Sequence, residues 1–336
     1  MQFKAAKKTA ALALILLLVG CAPKPQPLGP TPSPTEKPLQ KVTILLDWFP
    51  NTNHTGIYVA KEKGYYKQQG LDVEIIQPGE NSNVDQIVAS GKADFGISAQ
   101  ESVTQARVGG IPLVSIAAII QHNTSAFASL KTAGINTAKD FEGKRYGGWG
   151  SPVEEAVIKG IMEKSNADFS KVKNVTIGTT DFFTTIGKES DFQWIFYGWD
   201  GIEAKRRGLE LNTIMLADLD PIFDYYTPIL ITNEQHISEQ KPLVKNFMKA
   251  TADGYKFAIS QPTEAADILS KAAPELNPEL INASQQWVSS QYQDEALIWG
   301  LQYSEVWRRY AQWMADQKLI DHMIEPENAF TNEFVK

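Results

Sequence analysis

Cysteine is almost missing: one in 336 residues. A single thiol allows no intrachain disulfide and no multi-cysteine zinc site. Histidine is scarce too. His54, His122, His236 and His322 show no metal-ligand spacing. There is no long basic run, and 39 acidic residues against 32 basic ones give a formal net charge of -7. Phosphate neutralisation needs clustered cations, so this balance speaks against a nucleic-acid partner. Long apolar runs are absent as well. With 43% hydrophobic and 21% charged residues, multi-span membrane, collagen-like and fully disordered chains are excluded. The length suits about two domains.

What is there begins with an address. Lys4, Lys7 and Lys8 precede an apolar run from Ala10 to Val19. That run is too short to span a bilayer but has the length and flanks of a secretory signal. It ends in Leu18-Val19-Gly20-Cys21, which resembles a bacterial lipobox. The resemblance implies removal of residues 1–20 and diacylglycerol on Cys21, the alternative being a plain signal with an incidental cysteine. Losing the three lysines leaves the rest more acidic, so attachment would rest on acyl chains, two or more of which hold firmly. Residues 21–40 form a linker containing Pro23, Pro25, Pro27, Pro30, Pro32, Pro34 and Pro38. Extended near polyproline II, it would hold the body roughly 50 Å or more off a membrane, at about 3.1 Å per residue. The expected location is the extracytoplasmic face of the cell membrane.

The body alternates strand and helix patterns. Strands are predicted at 41–48, 71–76, 93–98 and 112–120, separated by short helices; a second series runs from 144 to 232. From 238 onward the pattern is helical, over 241–260, 263–271, 278–291 and 304–317. Such alternation means βαβ units and a mainly parallel sheet. Two series suggest two α/β lobes: residues 41–130 plus 231–336, and residues 131–230, with hinge crossovers near Leu130 and Ile229.

Ligands of open α/β sheets sit outside the carboxyl ends of the strands. That rule picks out Asp47, Trp48, Asn51 and His54 after the first strand, then Gln100 and Glu101. In the second series it picks out Gly148, Trp149, Tyr197 and Trp199, and before the return crossover Asp224, Tyr225 and Tyr226. Aromatics, amides and carboxylates dominate, and Arg and Lys are missing. This chemistry suits a flat, neutral or weakly basic ring better than a phosphate or sulfonate. The blander readings stay open: Trp48 and Trp199 as core aromatics, His54 as a locally satisfied helix-end residue, Glu101 as a solvated first-turn carboxylate. The Gly147-to-Ser151 loop reads either as an ordinary turn or as a nest of backbone N–H groups able to hold a polar substituent. Trp287, Trp299, Trp307 and Trp313 are expected to pack the helical tail.

The stretches DWFPNTNHTGIYVAKEKGYYKQQGLDV (Asp47 to Val73), GKADFGIS (Gly91 to Ser98) and DYYTPILITNE (Asp224 to Glu234) resemble the thiamine-pyrimidine family. That family holds the substrate-binding lipoproteins of ABC importers (ThiY-like, formylaminopyrimidine branch) and the fungal pyrimidine synthase. The resemblance implies a type II periplasmic-binding-protein fold with a ligand cleft between two lobes. It implies a 4-amino-2-methylpyrimidine ligand, such as the N-formyl-aminomethyl derivative, and ABC permease partners. No cofactor, no metal and a monomeric body are expected. Trp48, Asn51 and His54 match its first-lobe motif, and Gly147 to Ser151 the loop that holds phosphate in the synthase. The synthase's lysine and histidine positions carry Ser98 and Ser102, and Asp224 to Pro228 lacks cysteine, so binding without catalysis is expected. Another small solute (riboflavin-like, sulfonate or nitrate) is the alternative, and a synthase-like enzyme a further one without a visible nucleophile–base pair.

Overall fold

A computed structural model of the chain describes residues 38–79, 82–178 and 180–335. The expected leader, Cys21 and all of the linker before Pro38 lie outside the described residues. Among the described residues, ten strands form two five-stranded sheets. The first has the order β2 (Leu71–Ile76), β1 (Gln40–Leu45), β3 (Phe95–Ser98), β10 (Ile229–Asn233), β4 (Leu113–Ala118). The second has the order β7 (Lys173–Thr176), β6 (Arg145–Gly148), β8 (Phe192–Phe196), β5 (Ser125–Leu130), β9 (Leu211–Met215). β1 pairs in parallel with β2 and β3, and β6 with β7 and β8. In each sheet one strand runs against its neighbours: β10 against β3 and β4, and β5 against β8 and β9. The sheets are therefore mixed.

The strand positions move the expected boundaries. Ser125–Leu130 was expected in the first lobe, with a hinge at Leu130; it is an inner strand of the second sheet. Ile229 likewise already pairs within the first sheet. The chain passes between sheets in 119–124 and returns in 224–228. Small residues in SAFASL obscure this, because a strand flanked on both sides and covered on both faces shows no polar alternation.

The helix Lys241–Ser260 illustrates how the first core forms. Its buried positions Leu243, Val244, Phe247, Met248, Thr251, Tyr255 and Ala258 follow a helical period and make one apolar face. Phe247 stacks on Phe95 at 3.7 Å and on Tyr66 at 5.3 Å. Gly254 lets this helix meet Thr55–Glu62: a Cβ there would fall on the Gly56 carbonyl oxygen and against Ala60. The last long helix, Ser304–Asp316, was expected with the first lobe alone. Its Trp307 joins a separate first-lobe cluster with Leu45, Val103 and Tyr226, whereas Tyr310, Trp313 and Met314 enter the second-lobe core with Phe127, Phe192 and Tyr225.

Overpacking a tight helix crossing costs about 1–3 kcal/mol. Gly254→Ala should lose that much in chemical denaturation. Gly64→Ala, where φ is +73° and no atom lies within 4 Å of the new Cβ, should lose less, about 1 kcal/mol from backbone conformation alone. Equal losses would remove the crossing from the account.

Candidate functional site

At the carboxyl end of β1 the backbone enters a tight turn. Asn51 caps the turn Thr52–His54, its side-chain oxygen accepting the Asn53 N–H at 2.9 Å. The Asn51 N–H donates to His54 Nδ1 at 3.3 Å, which leaves His54 Nε2 to donate to Asp47 Oδ1 at 2.7 Å. His54 is fully buried. Asn51 and His54 thus spend their polar atoms on the loop. The side chains this loop displays are Trp48, 45% exposed, and Phe49, 64% exposed, edge to face at 5.8 Å. Phe49 was not among the expected site residues; two adjacent large apolar side chains left in water were the available signal.

At the carboxyl end of β6 the glycine loop is already filled. Glu154 lies in the first turn of the helix Pro152–Lys164. Its Oε1 accepts the Trp149 N–H at 3.1 Å and the Tyr146 hydroxyl at 2.6 Å. Its Oε2 accepts the Gly150 and Ser151 N–H groups at 2.9 and 2.8 Å. The expectation that these N–H groups await a ligand is corrected: the chain's own carboxylate takes them. Gly148 is required beneath, since a Cβ there would collide with Glu154 Oε1. Trp149 remains half exposed, edge-on to Trp194 at 5.6 Å. Phe192, Trp194 and Phe196 share one face of β8 by strand alternation. Their exposure climbs from 0% through 9% to 37% toward the carboxyl end, and Trp194 Nε1 is buried without a hydrogen-bond partner.

β8 runs into a single π-helical turn, Tyr197–Gly201. Tyr197 leans on Trp287 at 5.3 Å, and Trp199 packs beside Ala266, Leu269 and Ile281. Both tie the sheet to the helical tail. Tyr197 also lines a concavity of about 440 Å³ with Lys131, Lys205 and Leu211, along edge strand β9. Burial pushes the Asp200 carboxyl in this turn up to about 6. The tail tryptophans Trp299, Trp307 and Trp313 are buried in the cores.

The two passages between sheets are fastened to each other. Asp224 Oδ1 accepts the Asn123 N–H at 2.9 Å, and Oδ2 accepts from His122 Nδ1 at 2.6 Å. Asn123 Nδ2 donates to the Phe223 carbonyl at 2.8 Å. His122 Nε2 reaches the Glu295 carboxylate at 2.9 Å, with Asp294 adjoining. Asp224 was expected to face a ligand; both its oxygens are engaged instead. Tyr225 and Tyr226, expected beside it, are 2% exposed. Tyr225 stacks on Tyr310 at 4.1 Å, and the Tyr226 hydroxyl accepts the Tyr303 N–H at 3.0 Å. Gln100 is spent as well: its amide accepts the Tyr226 N–H and donates to the Val306 carbonyl. Arg309, from the tail, donates to the Asp224 carbonyl and keeps a buried, unpartnered Nε. The strand-end rule could not bring it into view.

Glu101 differs from the other carboxylates. It opens the helix Gln100–Val108 just past β3, and its Oε2 is buried without a hydrogen-bond partner. Desolvation, then the nearby charge of Asp85, lifts its carboxyl to about 7. Asp85, at the start of Val84–Ala89, is raised for the same reason, with a buried unpartnered Oδ1 of its own. Buried polar atoms normally find partners; Glu101 Oε2 and Asp85 Oδ1 are among the few described ones that do not. Asp85 went unnoticed in the sequence because it precedes its strand.

Residues 51–265 match the model of a family described as NMT1/THI5 like. The chain belongs to that family. It is 26% identical to the formylaminopyrimidine-binding protein of Halalkalibacterium halodurans, covering 88% of this chain and 91% of that one. It is also 26% identical to the riboflavin-binding protein RibY of Chloroflexus aurantiacus, over 96% and 95%. The same identity, over 88% and 92%, links it to the 4-amino-5-hydroxymethyl-2-methylpyrimidine phosphate synthase of Legionella pneumophila. Among solved structures, the alkanesulfonate-binding protein SsuA of Xanthomonas axonopodis pv. citri superposes with a TM-score of 0.65 at 11% identity, covering 88% and 99%. A Candida albicans protein described as having the generic periplasmic binding protein fold gives 0.61 at 15%, covering 89% and 97%. The family member described here has that two-lobed fold.

The Asp224 hydrogen bond, ahead of the opposing desolvation, raises His122 to about 9. A histidine whose folded pKa is raised contributes fully below its unfolded value near 6.5, and the contribution fades as pH climbs through 9. Melting temperature should therefore fall across that window. Asp224→Asn should flatten the fall, and an unchanged slope would show that the bond does not control His122.

Proposed function

We propose that this family member is the extracytoplasmic substrate-binding lipoprotein of an ABC importer. Its ligand is a 4-amino-2-methylpyrimidine, such as the N-formyl-aminomethyl derivative, captured between the lobes and delivered to the permease. The observation that carries the reading is the open carboxylate of Glu101. An aminopyrimidine offers an exocyclic amine beside a ring nitrogen, and a carboxyl group meets that pair with two parallel hydrogen bonds. Of the three carboxylates expected at the site, Asp224 is spent on the crossovers and Asp47 holds His54. Half-exposed Trp48 and Trp149 supply stacking faces. The formylaminopyrimidine-binding relative supports the same ligand class.

A sulfonate or nitrate gains little from a rim whose convergent N–H groups are already taken by Glu154. A riboflavin-like ring system satisfies the same aromatic faces and is the second reading, favoured by the RibY relative. Catalysis of the synthase type has no support in Ser98 and Ser102, which stand where its lysine and histidine would be. Cys21 is the anchoring residue in this reading.

Glu101→Gln should weaken binding of an aminopyrimidine at least tenfold by calorimetry, about 1.4 kcal/mol. Its effect on the empty protein has the opposite sign. A carboxyl raised from 4.5 to about 7 contributes stability fully below 4.5 and loses it as pH rises through 7. Above pH 7 the variant should therefore melt higher than wild type. Unchanged affinity would remove Glu101 from the site, and lowered stability above pH 7 would make it structural. Cys21→Ser should leave the protein in the salt-washed soluble fraction; retention in membranes would rule out a lipid anchor on Cys21.

A further inference from the structure

Four donors converge on the Glu154 carboxylate: three consecutive backbone N–H groups, from Trp149, Gly150 and Ser151, and the Tyr146 hydroxyl. The carboxylate is 1% exposed. It lies at the N-terminus of a thirteen-residue helix whose dipole favours negative charge there. An N-terminal capping bond alone needs one oxygen and one N–H; here both oxygens accept two bonds each. Gly148 and Gly150 let the backbone close around them, Gly150 at φ +89° and Gly148 because any Cβ would displace Oε1. Successive N–H groups at a helix start form the usual cradle for phosphate and other oxyanions. In this chain that cradle already contains an anion, and the anion is a side chain.

We propose that Glu154 is a specificity-determining residue, a built-in anion that fills the oxyanion cradle at the end of β6 and thereby makes the second lobe refuse phosphate esters and sulfonates. The cradle has one set of donors. A ligand oxyanion must either displace a carboxylate with four hydrogen bonds or approach its negative charge. Both are costly. A ligand with a neutral polar substituent meets neither obstacle. The idea rests on the proposed reading only for the identity of the favoured ligand; the refusal of anions concerns the loop itself.

Glu154→Ala removes the carboxylate and leaves the donors. Its melting temperature should rise saturably with tens of millimolar acetate or inorganic phosphate, beyond a chloride control of equal ionic strength, whereas wild type should show no such rise. Glu154→Gln, which keeps the space filled, should stay unresponsive like wild type. If Glu154→Ala does not fold in plain buffer, recovery of the fold in acetate or phosphate but not chloride is the same positive result. An alanine variant with no gain from either anion overturns the proposal, as does wild type responding equally. Calorimetry with an aminopyrimidine and its phosphate ester separates the two readings. Wild type binding the ester as well as the parent compound sinks the role of Glu154. Failure of wild type to bind either, with the anion gain intact in the alanine variant, sinks the pyrimidine reading alone.

Discussion

The hydrogen bonds of Asp224 hold the two passages between the sheets side by side. One oxygen takes the Asn123 N–H and the other His122, so a single carboxylate joins segments far apart in sequence. β5 and β10, the strands these passages feed, are the antiparallel strands of their sheets. The crossovers thus determine which strand each sheet receives. A partly buried, charge-assisted pair of this kind is stronger than an exposed one. Glu295 adds a second acceptor on His122, and its own carboxyl is held low by that bond.

Much of the fold was legible because periodicity survives at the level of single elements. The helix expected at 241–260 is Lys241–Ser260, and the strand expected at 71–76 is Leu71–Ile76. Lobe membership was less legible. SAFASL carries no mark of which sheet it joins, because small apolar residues suit any interior strand. The helix Ser304–Asp316 has one broad apolar face, which announces burial but not that two different cores receive it.

For the site, residue types at strand ends were legible and their commitments were not. Gln100, Asp224, Tyr225 and Tyr226 stand at the positions the strand-end rule selects, yet each is absorbed by the scaffold. Sequence shows which groups could reach a ligand; only the full set of hydrogen bonds shows which are still unengaged. The same holds for the glycine loop. Gly147 to Ser151 reads as a turn or as a nest, while the convergence of both Glu154 oxygens on it depends on Tyr146 and Gly148 lying beneath. Asp85 and Arg309 were missed because they lie before a strand and in the distant tail, and Phe49 because it reads as one more apolar residue inside the quoted motif.

The helix Ser304–Asp316 gives Trp307 to one hydrophobic core and Trp313 to the other. Both indoles are large and nearly inaccessible to water. A chain cut before residue 304 would leave a hole in each interior, and neither half could be completed by the residues preceding it. Cavities of that size in a packed core cost several kcal/mol, about 3–5 for a lost tryptophan. The molecule is therefore two bodies in its topology and one in its folding, and a newly made chain cannot finish either until its last helix has been synthesised.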